Sequence, residues 1–102
     1  MLHKSIEILL PQINSLFQKH KIKNAYIFGS AISEKFDTDS DVDFLVNLQE
    51  NIEPVEAGEN LWLLEDELKL LLKRKVDLIT ERSLRNPYFI TEINNTKQLI
   101  YG

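Results

Sequence analysis

One long helical pattern between two short β-prone runs sets the first limit on how this chain folds. From Glu53-Pro54 to about Arg74, the residues Ala57, Leu61, Leu64, Leu68, Leu71 and Leu72 recur at helical spacing, and proline suits the first helical position. The flanking runs, Val42–Leu48 and Val76–Thr80, are rich in Val, Leu and Ile and have strand length. A helix with a single apolar stripe has to lay that stripe on something, and a small sheet built from such runs offers the surface.

Other segments extend the pattern. Ile6, Leu9, Leu10, Ile13, Leu16 and Phe17 form one helical face ending near His20. Pro11 requires that helix to kink or to restart with the proline in its first turn. Asn24-Ala-Tyr-Ile-Phe-Gly29 is a third β-prone run ended by glycine, followed by a polar loop over 33–40 with a short helical turn after Gly29-Ser30. A last short helix is predicted over 88–97 after Asn86-Pro87, with 98–102 as a tail. The order helix, strand, strand, helix, strand, helix predicts an α/β (α+β) fold: a small mixed β-sheet with helices on one face, the other face free to bind. With 102 residues, 43% of them apolar, and no repeat or linker, residues 1–102 are expected to form a single domain.

Four aspartates alternate along Asp37-Thr-Asp39-Ser-Asp41-Val-Asp43. A calcium loop beginning at Asp37 would need glycine at its sixth position and glutamate at its twelfth, where the chain has Val42 and Leu48. Asp37 and Asp39 therefore read as a solvated turn. Asp41 and Asp43 lie at the head of an apolar run, and residues two apart on a strand point the same way. Two anions held that close are costly without a cation between them, and oxygen ligands favour a hard one such as Mg²⁺. Asp77 is the one charged residue of the Val76–Thr80 run and brings a third carboxylate if the two strands are neighbours. Three carboxylates around one or two divalent ions suit in-line phosphoryl or nucleotidyl displacement. Gly29 allows a phosphate close to the backbone, and Ser30 supplies a hydroxyl donor.

Composition removes competing classes. The 12 basic and 16 acidic residues give a formal net charge of −4, so no field exists to hold a phosphate backbone, and nucleic-acid binding is not expected. The absence of cysteine excludes disulfides, thiolate metal sites and cysteine nucleophiles, and suits a reducing compartment. No apolar run approaches the roughly 20 residues of a membrane span, and the first residues lack a signal-peptide pattern. A cytoplasmic protein is expected. The chain has no Gly-x4-Gly-Lys and no Gly-x-Gly-x-x-Gly, so the common nucleotide-binding loops are excluded.

Gly29-Ser30, ten intervening residues, then Asp41-Val42-Asp43 resembles the signature of the DNA polymerase β-like nucleotidyltransferase superfamily. Tyr-Ile-Phe-Gly-Ser followed by Ser-Asp-Val-Asp-Phe-Leu-Val is similar to its minimal nucleotidyltransferase (MNT) branch, and the likeness covers nearly the whole chain. The resemblance implies that Gly29 and Ser30 hold nucleotide phosphates, that Asp41 and Asp43 bind Mg²⁺, and that Asp77 is the third catalytic carboxylate and metal ligand. It also implies an antitoxin partnered with a HEPN-domain ribonuclease toxin, some members transferring AMP from ATP to a tyrosine of the toxin. Where many relatives place arginine and glycine, this chain has Ser33 and Glu34, which replaces a cation near the phosphates; Lys35 is the nearest substitute. Two alternatives stay open: an antitoxin that acts by contact alone, and adenylylation of a small molecule such as an aminoglycoside.

Residues outside this pattern have simpler readings. His3 and His20 are expected to be solvated, and Lys73-Arg74-Lys75 to complement a helix C-terminus. Trp62 and Leu70 fall off the core stripe of the long helix, and Trp62 is expected to serve association with a partner or a second copy, whereas Leu63 is assigned to a wider core contact.

Overall fold

The computed structural model describes residues 2–32, 37 and 39–102. Helix α1 (Lys4–Glu7) and helix α2 (Leu10–Lys19) divide the first amphipathic segment, with Pro11 in the first turn of α2, where its missing N–H removes no helical bond. Strand β1 (Ile22–Phe28) runs into a 3₁₀ turn over Gly29–Ile32. Strand β2 (Val42–Leu48), helix α3 (Pro54–Leu72) and strand β3 (Val76–Thr80) follow, then a short 3₁₀ turn at Glu81–Ser83 and helix α4 (Pro87–Thr96). Asn86 caps α4, its side-chain oxygen accepting from the Tyr88 and Phe89 amides.

The sheet is mixed, in the order β3-β2-β1-β4. Strand β1 pairs antiparallel with β2, and β2 pairs parallel with β3 across the α3 crossover. Residues 98–102 are a correction to the expected tail: Gln98–Tyr101 forms strand β4, antiparallel to β1. The segment is only four residues long, and its pairing comes from the free edge of β1 and from the Tyr101 ring against Phe17 at 5.6 Å.

Helices α1, α2 and α3 cover one face. There Ala25, Ile27, Val42, Phe44 and Val46 of the sheet meet Ile6, Ile13, Phe17, Leu64 and Leu68, with Phe17 edge-on to Phe44 at 5.8 Å. The opposite face carries a second, smaller cluster in which Ile93 of α4 packs on Phe28 and Leu45. Helix α4 is thus an addition to the one-sided helical layer that the sequence suggests.

Two further expectations change. His20 is 3% exposed rather than solvated: Nε2 lies 3.1 Å from Glu67 Oε1 and Nδ1 3.4 Å from Asn60 Oδ1, which ties α2 to α3. Burial of Glu67 opposes ionisation, but hydrogen bonds from Lys19 and His20 outweigh it and leave that carboxyl below its ordinary range. Leu63 is not in a wider core; it lies half exposed on the outer side of α3.

Candidate active site

The strand register assembles the site. Asp43 pairs with Phe28 across β1/β2 and with Asp77 across β2/β3, so the three side chains share one face of the sheet. Phe28 belongs to the cluster under α4, and so do Leu45 and Ile79, each two residues beyond one of the aspartates. The carboxylates therefore stand on the α4 face, at the end of the sheet where β1 stops and β2 and β3 begin. A backbone bond from the Val42 amide to the Lys75 carbonyl, 3.1 Å, fixes the two strand starts side by side.

Burial, the Asp77 charge, a hydrogen bond with Asp77 and the Asp41 charge together push the Asp43 carboxyl from 3.8 up to about 6. Asp77 itself is exposed at the sheet's edge strand. Asp41 precedes β2, is exposed, and acts on Asp43 through its charge. The structure thus brings Asp43 and Asp77 into contact with Asp41 close by. Among the described residues, no three such side chains close into a ready metal-binding group.

Gly29 closes the other side. Its φ is +77°, and a Cβ built there would lie 2.5 Å from Asp43 Oδ2, so both backbone conformation and space require glycine. Ser30 Oγ donates to the Asp41 carbonyl at 3.2 Å, which ties the turn after β1 to the residue that leads into β2. The His3 amide donates to the Ala31 carbonyl at 3.0 Å and holds α1 against the same turn.

Asp37 and Asp39 are exposed, in line with a turn role. Asp37 Oδ1 accepts from the Asp39 amide at 2.9 Å and from Ser40 Oγ at 3.1 Å, a side chain imitating a backbone turn. Arg74 is the residue that sequence reasoning missed. Its Nη1 donates to the carbonyls of Asp37 (2.9 Å) and Ser40 (3.0 Å) and so clamps the acidic loop onto the end of α3. Its signal was the Lys73-Arg74-Lys75 run, which also fits a helix terminus; only the fold puts the loop within its reach. Ser33, Glu34 and Lys35, where the chain departs from the MNT pattern, lie outside the described residues.

Comparison with known proteins identifies the family and the fold. The family model described as polymerase beta, nucleotidyltransferase matches residues 11–102. A protein of Methanocaldococcus jannaschii that carries the provisional name of protein adenylyltransferase is 40% identical over 95 residues, covering 93% of this chain and 91% of its own. Among solved structures, one provisionally assigned as a minimal nucleotidyltransferase superposes with a TM-score of 0.72 at 24% identity, over 96% of this chain and 95% of that one. A chain from the complex of tri-AMPylated Shewanella oneidensis HEPN toxin with MNT antitoxin does so with a TM-score of 0.66 at 20% identity, over 94% and 71%.

Proposed function

The chain belongs to the polymerase β nucleotidyltransferase family, and from that premise we propose that it transfers AMP from ATP, with Mg²⁺, to a tyrosine hydroxyl of a HEPN-type toxin, as the antitoxin of the pair. The observation that carries the reading is the Asp43–Asp77 pair facing Gly29 at one end of the sheet. A provisionally named protein adenylyltransferase among the relatives and an AMPylated toxin beside an MNT antitoxin support the donor and the acceptor. In this reading residues 1–102 act as one domain in the cytoplasm.

The donor set fits a hard divalent ion. Burial first, then the charge and hydrogen bond of Asp77 and the charge of Asp41, raise the Asp43 carboxyl to about 6, so oxygen donors are concentrated at one point with no cation beside them among the described residues. Asp41 and Asp43, with Asp77 beside them, would hold Mg²⁺, which supplies neutralisation of the triphosphate charge.

The chain's own groups do the rest. The absence of a side chain at Gly29 lets a phosphate approach the backbone beside Asp43. For Ser30 to donate to a phosphate oxygen it gives up its bond to the Asp41 carbonyl, so nucleotide binding and the position of Asp41 are coupled. Asp77, exposed on its strand, faces the acceptor and takes its proton. The tyrosine oxygen then bonds to the α-phosphorus as the bond to pyrophosphate breaks.

The Ser33-Glu34 departure favours a second reading, an antitoxin that neutralises by contact alone. Mass spectrometry of the HEPN-domain partner after incubation with this protein and Mg-ATP separates the two. Adenylyl-tyrosine that is absent with Asp41→Asn/Asp43→Asn supports transfer. An unmodified partner that is nevertheless inhibited supports contact.

A further inference from the structure

Helix α3 has two apolar faces, and only one is used inside the chain. Val55, Trp62, Leu63 and Leu70 are 74%, 73%, 51% and 77% exposed, at spacings that keep them on the side away from Leu64 and Leu68. Two details on the same stripe define what covers it.

The first is charge. Of the five acidic residues in α3, three have basic partners: Glu56 with Lys21 at 2.6 Å, Glu65 with Lys69 at 3.6 Å, and Glu67 with Lys19 at 3.0 Å. The other two, Glu59 and Asp66, have no ion pair among the described residues, and both lie between the exposed apolar side chains. The second is Gly58. Glycine in a helix interior is destabilising relative to alanine, yet a Cβ at Gly58 would meet nothing within 4 Å. Its absence deepens a shallow apolar depression bounded by Pro54, Val55, Glu59, Trp62 and Leu63.

We propose that this stripe docks a partner helix in which apolar side chains alternate with Lys or Arg, one apolar side chain seating over Gly58 and the cations meeting Glu59 and Asp66. The proposal rests on the protein-partner reading above and adds the surface and its chemistry. A second copy of this chain does not satisfy it. Antiparallel pairing that sets Val55 against Leu70 and Trp62 against Leu63 also sets Glu59 against Asp66, twice over, and parallel pairing sets each acid against itself.

The experiment is calorimetric titration of the full chain with a HEPN-domain protein as candidate partner, beside thermal melts and gel filtration of every variant. Trp62→Ala/Leu70→Ala is expected to weaken binding by roughly 50-fold or more without lowering the melting temperature, because both side chains are exposed. Glu59→Lys/Asp66→Lys is expected to weaken it about 10-fold and to flatten its salt dependence. Gly58→Ala is expected to raise the melting temperature while weakening binding, a combination that a purely structural glycine does not give. Wild-type affinity in all three variants overturns the proposal and leaves adenylyl transfer standing. An effect of the apolar pair without one of the charge pair overturns the basic-helix chemistry, and a wild-type dimer dissociated by Trp62→Ala/Leu70→Ala assigns the stripe to self-association instead. A wild-type chain that does not bind the HEPN protein at all overturns the partner reading and the proposal together.

Discussion

Asp43 and Asp77 occupy directly paired positions on neighbouring parallel strands, so two carboxyl groups that are 34 positions apart in sequence face each other across one strand spacing. Backbone pairing sets their positions, and the hydrogen bond between the two carboxyl groups forms within that spacing.

That arrangement fixes the sign of a pH effect. Asp43 binds its proton more tightly folded than unfolded, so its contribution to stability is fully present below about 3.8 and is lost as pH rises through about 6. Asp43→Asn should therefore stabilise the metal-free chain at pH 8 by on the order of 1 kcal/mol, the shift being discounted because the group is partly solvated, and should change little at pH 3.5. Urea unfolding of both proteins at the two pH values measures this. Equal stability at pH 8 means that neither burial nor the neighbouring carboxylates strain the Asp43 anion.

Gly29→Ala combines a disfavoured φ with a Cβ 2.5 Å from Asp43 Oδ2. The expected cost is about 1–3 kcal/mol of stability, with loss of Mg-ATP binding because Asp43 has to move. Thermal unfolding with and without Mg-ATP reads both effects, and a variant that is still stabilised by Mg-ATP to the wild-type extent contradicts this role for Gly29.

Asp77→Ala should separate binding from turnover. If Asp77 serves the acceptor, the affinity for Mg-ATP stays within a few-fold while adenylyl transfer slows by roughly 100-fold or more. Equal slowing and loss of affinity would make Asp77 a ligand of the nucleotide side.

Arg74→Ala removes two charge-assisted bonds to the Asp37 and Ser40 carbonyls. The expected loss is about 1–3 kcal/mol of stability together with a weaker affinity for Mg-ATP, since the loop leads directly into Asp41. Lysine, a single ammonium without the planar fork, should restore the stability only in part. Hydrogen exchange at Asp39 and Ser40 in the two variants checks the clamp itself.

Most of the fold was legible because its signals were local. The β2 and β3 boundaries follow from short β-prone runs, and α3 from a stripe sustained over five turns. The Pro11 restart follows from a missing N–H. The carboxylate pair was legible in outline, since alternation placed Asp43 on its strand and the isolated charge singled out Asp77, whereas Asp41 lies just before β2 and not on the strand as alternation suggested. What stayed hidden depends on neighbours that only the fold supplies. Strand β4 is held by the edge of β1, His20 is buried by Glu67 and Asn60 arriving from α3, and Arg74 finds its carbonyls across 34 positions or more of sequence.

The two faces of the sheet are anchored very unequally. Under α1, α2 and α3 lies a continuous core, whereas α4 is attached through Ile93 and the edge contact of Phe89 with Phe28, 6.2 Å between ring centres. Peeling α4 from the sheet disrupts a small cluster and leaves the large one intact, so the free energy of that opening lies well below that of global unfolding. The patch of the sheet around Phe28 and Leu45, beside Asp43, can therefore be uncovered and covered again while the rest of the molecule stays folded, and the α4 amides should exchange with solvent far sooner than those of β1 and β2.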